Sequence, residues 1–246
     1  MPFKRIHLAE CSSTNLVAHE MYNMGEDLTN VIISTDYQTS GKGLDTNSWH
    51  SEKGKNILFS LVVRPERLGA SNQFMLTKAV SLGVHDALKA LLPKANITIK
   101  WPNDIYIDAK KVGGILISNI IAGNTITNSI IGIGLNVNQT QFPADLPNPV
   151  SVKQITGKDT DRDHLLDRIC LSLSGRLEEL LNGKHSETID QDYLRSLYRF
   201  GQQTRFQGEG RTFDARIVNV NQYGHLILEV DSGELRCFGL KQLIFR

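Results

Sequence analysis

Three short segments set cations beside glycines or a turn-forming proline, in ways that suit the handling of an anion. Ser40-Gly41-Lys42-Gly43 sets a lysine between two glycines. Lys100-Trp101-Pro102-Asn103-Asp104 sets a cation and a carboxylate on either side of an indole and a turn-former, and Lys111-Val112-Gly113-Gly114 puts a lysine ahead of adjacent glycines. Glycine lets the backbone approach a ligand closely, and a lysine there can hold a carboxylate or an α-phosphate as a point charge. Each segment also has a plainer reading: a surface loop for 40–43, a hairpin with Trp101 in the core for 100–104, and a β-bulge with a solvated lysine for 111–114. The hairpin leaves Lys100 and Asp104 unexplained, because charges beside a core need partners. A fourth segment, Gly132-Ile133-Gly134-Leu135-Asn136-Val137-Asn138, places small residues and two amides at the end of an apolar run and is a weak signal alone.

Other chemistries find less support. Neither Gly-Lys-Ser/Thr nor Gly-x-Gly-x-x-Gly occurs, so there is no Walker loop and no dinucleotide fingerprint. The seven histidines lack metal-ligand spacing, so metal ligands are not legible, and no Gly-x-Ser-x-Gly elbow supports a hydrolase. With 27 basic against 26 acidic residues, the net charge of +1 gives no field for DNA or an anionic membrane. Cys11, Cys170 and Cys237 form no Cys-x-x-Cys pair, which argues against a disulfide framework or a zinc site and for a cytoplasmic protein. The first twenty residues lack a signal-peptide core, and no apolar run approaches the roughly 18 residues of a membrane span.

The length of 246 residues suits one ordinary domain with a smaller appendage. The pattern predicts a strand over 3–9 and then a helix, capped by the hydroxyls of Ser12-Ser13-Thr14 and ending near Gly25. It continues with a strand over 31–37, a polar loop over 40–55, a buried strand over 56–64, and a helix from a Ser71 cap to about Leu92. Strands at 97–101, 104–108, 111–121 and 125–138 follow through short turns, then a proline-bearing extended loop over 139–150 and helices over 163–182 and 186–199. From Gly201 the chain breaks into short strands, which predicts a small barrel. The expected fold class is α+β: a mixed sheet packed with helices over 1–199, plus a small β-barrel over 200–246.

In order, SSTN (12–15), YQTSGKG (37–43), SW (48–49), KWPNDIY (100–106), KVGGIL (111–116) and GIGLNVN (132–138) resemble the biotin protein ligases. The motifs span residues 5–138, and the terminal barrel resembles that family's SH3-like domain. The resemblance implies a class II synthetase-like catalytic domain that uses ATP, Mg2+ and biotin. Biotin is first converted to biotinyl-5'-AMP and then joined to a lysine of a biotin carboxyl carrier protein, a subunit of acetyl-CoA carboxylase. It places Ser13, Thr14, Asn15 and Gln38 against the ureido ring, Gly41, Lys42, Gly43, Leu44 and Gly114 along the remainder of biotin, and Trp49, Asn103, Lys111 and Asn136 toward the nucleotide. Lys111 and Lys42 would offset the repulsion between two anionic substrates, and Asp104 would accept or orient the proton of the incoming amine.

Two departures from the family pattern stand out. Leu44 and Asn47 occupy positions where arginines are expected, so either other cations, such as Lys53, Lys55 or Arg211, contribute charge or the intermediate is held less tightly. The helix-turn-helix of repressor relatives is lacking ahead of the motifs, so no DNA partner is expected. The closest alternative is a lipoate or octanoate ligase or transferase of the same fold. An alternative of another class is a non-catalytic binding protein. A homodimer through a free sheet edge is compatible with the sequence but not specified by it. The loop over 40–50 is expected to order when ligand binds.

Overall fold

The structure, a computed structural model, describes residues 2–44, 47–183 and 186–246. Asp45 and Thr46, part of the polar loop, lie outside the described residues. Strands β1 (Lys4–Leu8), β2 (Val31–Thr35), β3 (Ile57–Val63), β4 (Ile97–Lys100), β5 (Asp104–Ile107), β6 (Lys110–Ala122) and β7 (Thr125–Leu135) form a seven-stranded sheet ordered β1-β2-β3-β7-β6-β5-β4. β1 and β2 pair in parallel through the crossover helix α1 (Thr14–Asn23), whereas the hairpin-linked strands pair antiparallel. The sheet is therefore mixed, as expected.

The two faces of the sheet have different covers, and β3 shows why. Its run ILFSLVV is buried along its whole length, as an apolar strand between two layers must be. Phe59, Leu61 and Val63 join Ile131 and Ile133 of β7 in the main core, beneath α2 (Phe74–Leu91), α4 (Arg162–Leu181) and α5 (Ser186–Ser196). Val62 and Ile130 point the other way, into a smaller cluster with Ala18 of α1. Because side chains alternate along a strand, that second face continues on β3 as Ser60 and on β7 as Gly132 and Gly134. The side chains shrink where the sheet must leave room.

Local chemistry fixes the helices. On α4, Leu166, Ile169, Cys170, Leu173, Leu177 and Leu180 are buried at helical spacing, and the Asp161 carboxylate caps its start by accepting from Asp163 N and His164 N. Ser71 does not cap α2: it sits in a 3₁₀ turn over Ala70–Asn72, and Gln73 occupies the cap position. A further short helix, α3 (Val152–Thr156), was not expected from the sequence. Its signal is a capping box, in which Ser151 and Gln154 each bond the other's backbone, followed by Gly157 at a φ of 71°. Ahead of it the extended loop crosses Lys111, whose N–H donates to Asn148 O at 2.7 Å and whose carbonyl accepts from Val150 N at 2.9 Å.

The chain turns through Arg199 and Gly201, both at positive φ, into β8 (Gln203–Gly208), β9 (Arg211–Val220), β10 (Leu226–Val230), β11 (Leu235–Phe238) and β12 (Leu243–Phe245). The small barrel expected from the sequence is here a five-stranded antiparallel sheet, ordered β11-β10-β9-β8-β12, around Phe206, Phe213, Phe238 and Phe245. No helix among the described residues is long and apolar enough to cross a membrane.

Candidate active site

Strand register brings the separate glycine segments onto one face. Asp104 of β5 pairs with Gly114 of β6, Gly114 with Gly134 of β7, and Gly134 with Leu58 of β3. Partners in register share a face. The adjoining row is Leu116, Gly132 and Ser60. With no side chains at 114, 132 and 134, a cavity of about 210 Å³ opens above the strands, closed over by Lys42, Gly43, Leu44, Asn47, Ser48 and Trp49. The Trp49 indole lies against the glycines: a Cβ on Gly134 would stand 2.5 Å from its Cε2, and one on Gly114 would stand 3.3 Å from its Cζ3. The glycines are what admit both the indole and the space beside it.

One end of the cavity is a hydrogen-bonding cluster at the start of α1. Ser60 Oγ lies 2.7 Å from Thr14 Oγ1 and 2.5 Å from Asn15 Oδ1. Asn15 Nδ2 donates to Leu116 O at 3.4 Å, and Thr14 N donates to Gln38 Oε1 at 2.9 Å. Ser13 has the cap position of α1, yet its hydroxyl makes no cap bond, contrary to the sequence expectation. It faces the cavity instead.

The other end is charged. Lys111 Nζ lies 2.6 Å from Asp104 Oδ1 and 5.8 Å from the centre of the Trp49 ring. Asn103 fixes the adjoining turn by donating to Ile115 O at 2.7 Å. Lys100 opposes Asp104 in register, but its ammonium reaches the Tyr106 hydroxyl at 3.2 Å and lies over the rings of Tyr106 and Phe245. Burial lowers the pKa of Lys100, with the charge of Asp104 acting against that shift, and burial pushes the Tyr106 phenol up to about 12. Lys100 and Trp101 thus serve the packing, with Trp101 in the core, while Asn103 and Asp104 line the cavity. Trp49 Nε1 is a buried donor without a partner among the described residues.

Of the fourteen residues that the resemblance assigns to ligand binding or chemistry, twelve line this cavity: Ser13, Thr14, Asn15, Gln38, Lys42, Gly43, Leu44, Trp49, Asn103, Asp104, Lys111 and Gly114. Two do not. Gly41 accepts the Trp49 N–H at 3.0 Å, and a Cβ there would stand 2.5 Å from the Trp49 carbonyl, so it serves the loop's closure. Asn136 is buried away from the cavity, where its amide donates to Val150 O at 3.1 Å and ties down the loop that crosses Lys111. Leu44 and Asn47 do line the cavity, but the cations expected to compensate for them do not: Lys53 pairs with Glu10 and Arg211 with Glu209. Ser60 was missed. Its signal was one hydroxyl inside an apolar run, where burial demands a partner. Among the described residues no group of three or more His, Cys, Asp or Glu is arranged to hold a metal ion.

Comparison with known proteins gives the chain a family. The model of the Biotin/lipoate A/B protein ligase family matches residues 9–136. The Bifunctional ligase/repressor BirA of Bacillus subtilis (strain 168) is 32% identical over 230 residues, covering 90% of this chain and 68% of its own length. The Biotin--[acetyl-CoA-carboxylase] ligase of Mycobacterium tuberculosis is 26% identical over 226 residues, covering 91% and 82% respectively. In fold, the chain is similar to the biotin protein ligase from Aquifex aeolicus in complex with biotin and ATP, with a TM-score of 0.82 at 24% identity over 99% of this chain and 98% of that one. A family model matching over half the chain, and a 32% identical relative matched over most of its length, show that the chain belongs to the Biotin/lipoate A/B protein ligase family.

Proposed function

We propose that this chain is an ATP-dependent ligase that activates biotin as biotinyl-5'-AMP in the cavity and passes it to a lysine of a biotin carboxyl carrier protein. The observation that carries the reading is the position of Lys111 Nζ, at the charged end of a slot whose other end is the cluster Ser13, Thr14, Asn15 and Gln38. A ureido ring needs paired donors and acceptors, a hydrocarbon chain needs a narrow wall such as Gly114, and a carboxylate needs a cation. The slot offers these in that order.

In the first step the biotin carboxylate attacks the α-phosphorus of ATP and pyrophosphate leaves. Both reactants are anions, so Lys111 and Lys42 offset their repulsion and hold the attacking geometry. Trp49 supplies a stacking face for the adenine or the ligand, and its unpartnered N–H awaits an acceptor. In the second step a neutral carrier amine attacks the mixed anhydride, AMP leaves, and Asp104 takes or directs the amine's proton. A magnesium ion, if carried in with the nucleotide, would supply further positive charge against the phosphates at the end of the cavity lined by Asp104 and Lys111. The names of the relatives point to acetyl-CoA carboxylase as the source of the carrier lysine. The loop residues Leu44 and Asn47 bring no charge, so Lys42 and Lys111 are the cations that face the intermediate.

Incubation with ATP, magnesium, labelled biotin and a carrier domain tests this reading. Label on a carrier lysine supports it. Label transferred from lipoate or octanoate, with none from biotin, would reassign the chain to the other branch of its family.

A further inference from the structure

The turn that bears Asn103 and Asp104 is held from behind by two hydrogen bonds, one buried and one partly buried, for which the chemistry of the cavity gives no reason. The Tyr193 hydroxyl, on α5, donates to the carbonyl of Pro102 at 2.6 Å. One residue earlier, Trp101 donates its indole N–H to the carbonyl of Gly224, just ahead of β10, at 2.9 Å. The ring of Phe74 stands edge-on to Tyr193 at 6.0 Å and fills the space a Cβ on Gly224 would need. Lys78, only 2% exposed, completes the group: its ammonium meets Asp190 Oδ1 at 2.7 Å and Val220 O at 3.4 Å. A lysine buried this deeply is tolerated only with good partners, and these come from α5 and the C-terminal sheet.

Packing alone does not call for the tyrosine hydroxyl, since phenylalanine would fill the same space. Tyr193 is fully buried, and burial pushes its phenol well above the ordinary range, so it stays a donor at any working pH. Its acceptor lies next to Asn103, which is anchored forward on Ile115 O, and two residues from Asp104, which is anchored on Lys111. The turn is thus tethered on both sides, and loss of the rear tether lets it relax into the cavity.

We propose that Tyr193 is a positioning residue for biotin activation: through Pro102 it fixes the backbone from which Asn103 enters the nucleotide side of the cavity, with Asp104 of the same turn held for the later transfer step, and the bond from Trp101 to Gly224 makes the C-terminal sheet part of the same support. This rests on the proposed function and adds a second layer to its site. The test is biotin-dependent exchange of pyrophosphate into ATP by the full chain as wild type, Tyr193→Phe, Trp101→Phe and the double variant. Leu180→Ala on α4 serves as a control that loses packing remote from the turn. Tyr193→Phe is expected to lower kcat about ten-fold with the KM for biotin within about two-fold, since small displacements of reacting groups carry penalties of this order or more. Leu180→Ala, at an equal or larger loss of Tm, is expected to keep its kcat. Because both tethers hold one turn, the double variant is expected to lose less than the product of the single losses. A Tyr193→Phe enzyme with a lowered Tm and unchanged kcat would make the hydroxyl merely structural and overturn the inference. Absence of exchange in the wild type would instead overturn the functional reading itself, a result separable from the variant comparison.

Discussion

Lys111 and Asp104 meet at 2.6 Å across the β5–β6 pair, both about one-third exposed, at the charged end of the cavity. In the proposed reaction an arriving carboxylate or phosphate competes with Asp104 for the same ammonium, which would release Asp104 to deal with a proton. On that reading one ion pair links the two half-reactions, with the lysine engaged in the first and the carboxylate freed for the second.

That exchange separates the effects of two substitutions. Lys111→Ala is expected to fold normally, since exposed pairs contribute about 1 kcal/mol or less, and to lose about 100-fold or more in adenylate formation. Asp104→Asn is expected to form adenylate within a few-fold of wild type while transfer to the carrier falls about 100-fold. Single-turnover assays of the two steps check this, and equal losses in both steps for Asp104→Asn would remove its proposed role.

Gly134 is less able to change than Gly114. Its Cβ would stand 2.5 Å from Trp49, whereas that on Gly114 would meet its neighbours at 3.3 Å or more. Gly134→Ala is expected to displace the indole, change its fluorescence and raise the KM for biotin or ATP about ten-fold or more, an effect of the size of one lost good contact. Gly114→Ala should be the milder of the two.

Ser60 bridges Thr14 and Asn15 from beneath. Ser60→Ala leaves those groups partly unsatisfied, at a cost of about 1 kcal/mol in stability. The expected signature is weaker biotin binding by calorimetry with little change in kcat at saturation.

Acid stability depends on a network remote from the cavity. Burial alone would raise the Asp86 carboxyl, but hydrogen bonds from His85 and Arg176 outweigh it and hold the pKa below its ordinary value. Arg176, 17% exposed, bonds Asp86 and Asp192 at 2.8 Å each and so joins α4 to α2 and α5. A carboxyl with a depressed folded pKa contributes stability above its unfolded value of about 3.9, and loses it as pH falls through the folded value. Arg176→Met is therefore expected to cost about 2 kcal/mol at pH 7, and its deficit against wild type should narrow below about pH 4. Urea titrations at the two pH values measure it, and a constant deficit would contradict the assignment.

The sequence was legible where its punctuation was local. Glycine and proline bounded the strands, the leucine spacing placed α4, and the three glycine-bearing segments converged on one cavity. It was less legible where a residue's partner is set by register. Ser60 reads as an interruption in an apolar run until β3 is placed beside α1, 45 positions away in sequence from Asn15. Asn136 looks like a ligand-facing amide, but the return of the loop at Val150 takes its side chain. Ser13 has the residue type of a helix cap, and only the cavity explains why it makes no cap bond. Tyr193 offered no sequence signal at all, since its acceptor is a backbone carbonyl 91 residues earlier.

A crystal structure with biotin and ATP bound tests the central claim most directly. The result expected is an acyl-adenylate with its ureido ring on Ser13, Thr14, Asn15 and Gln38, its linkage beside Lys111, and Trp49 against the ligand. A cavity left empty or filled by its own side chains, with ligand bound elsewhere or not at all, would contradict the account.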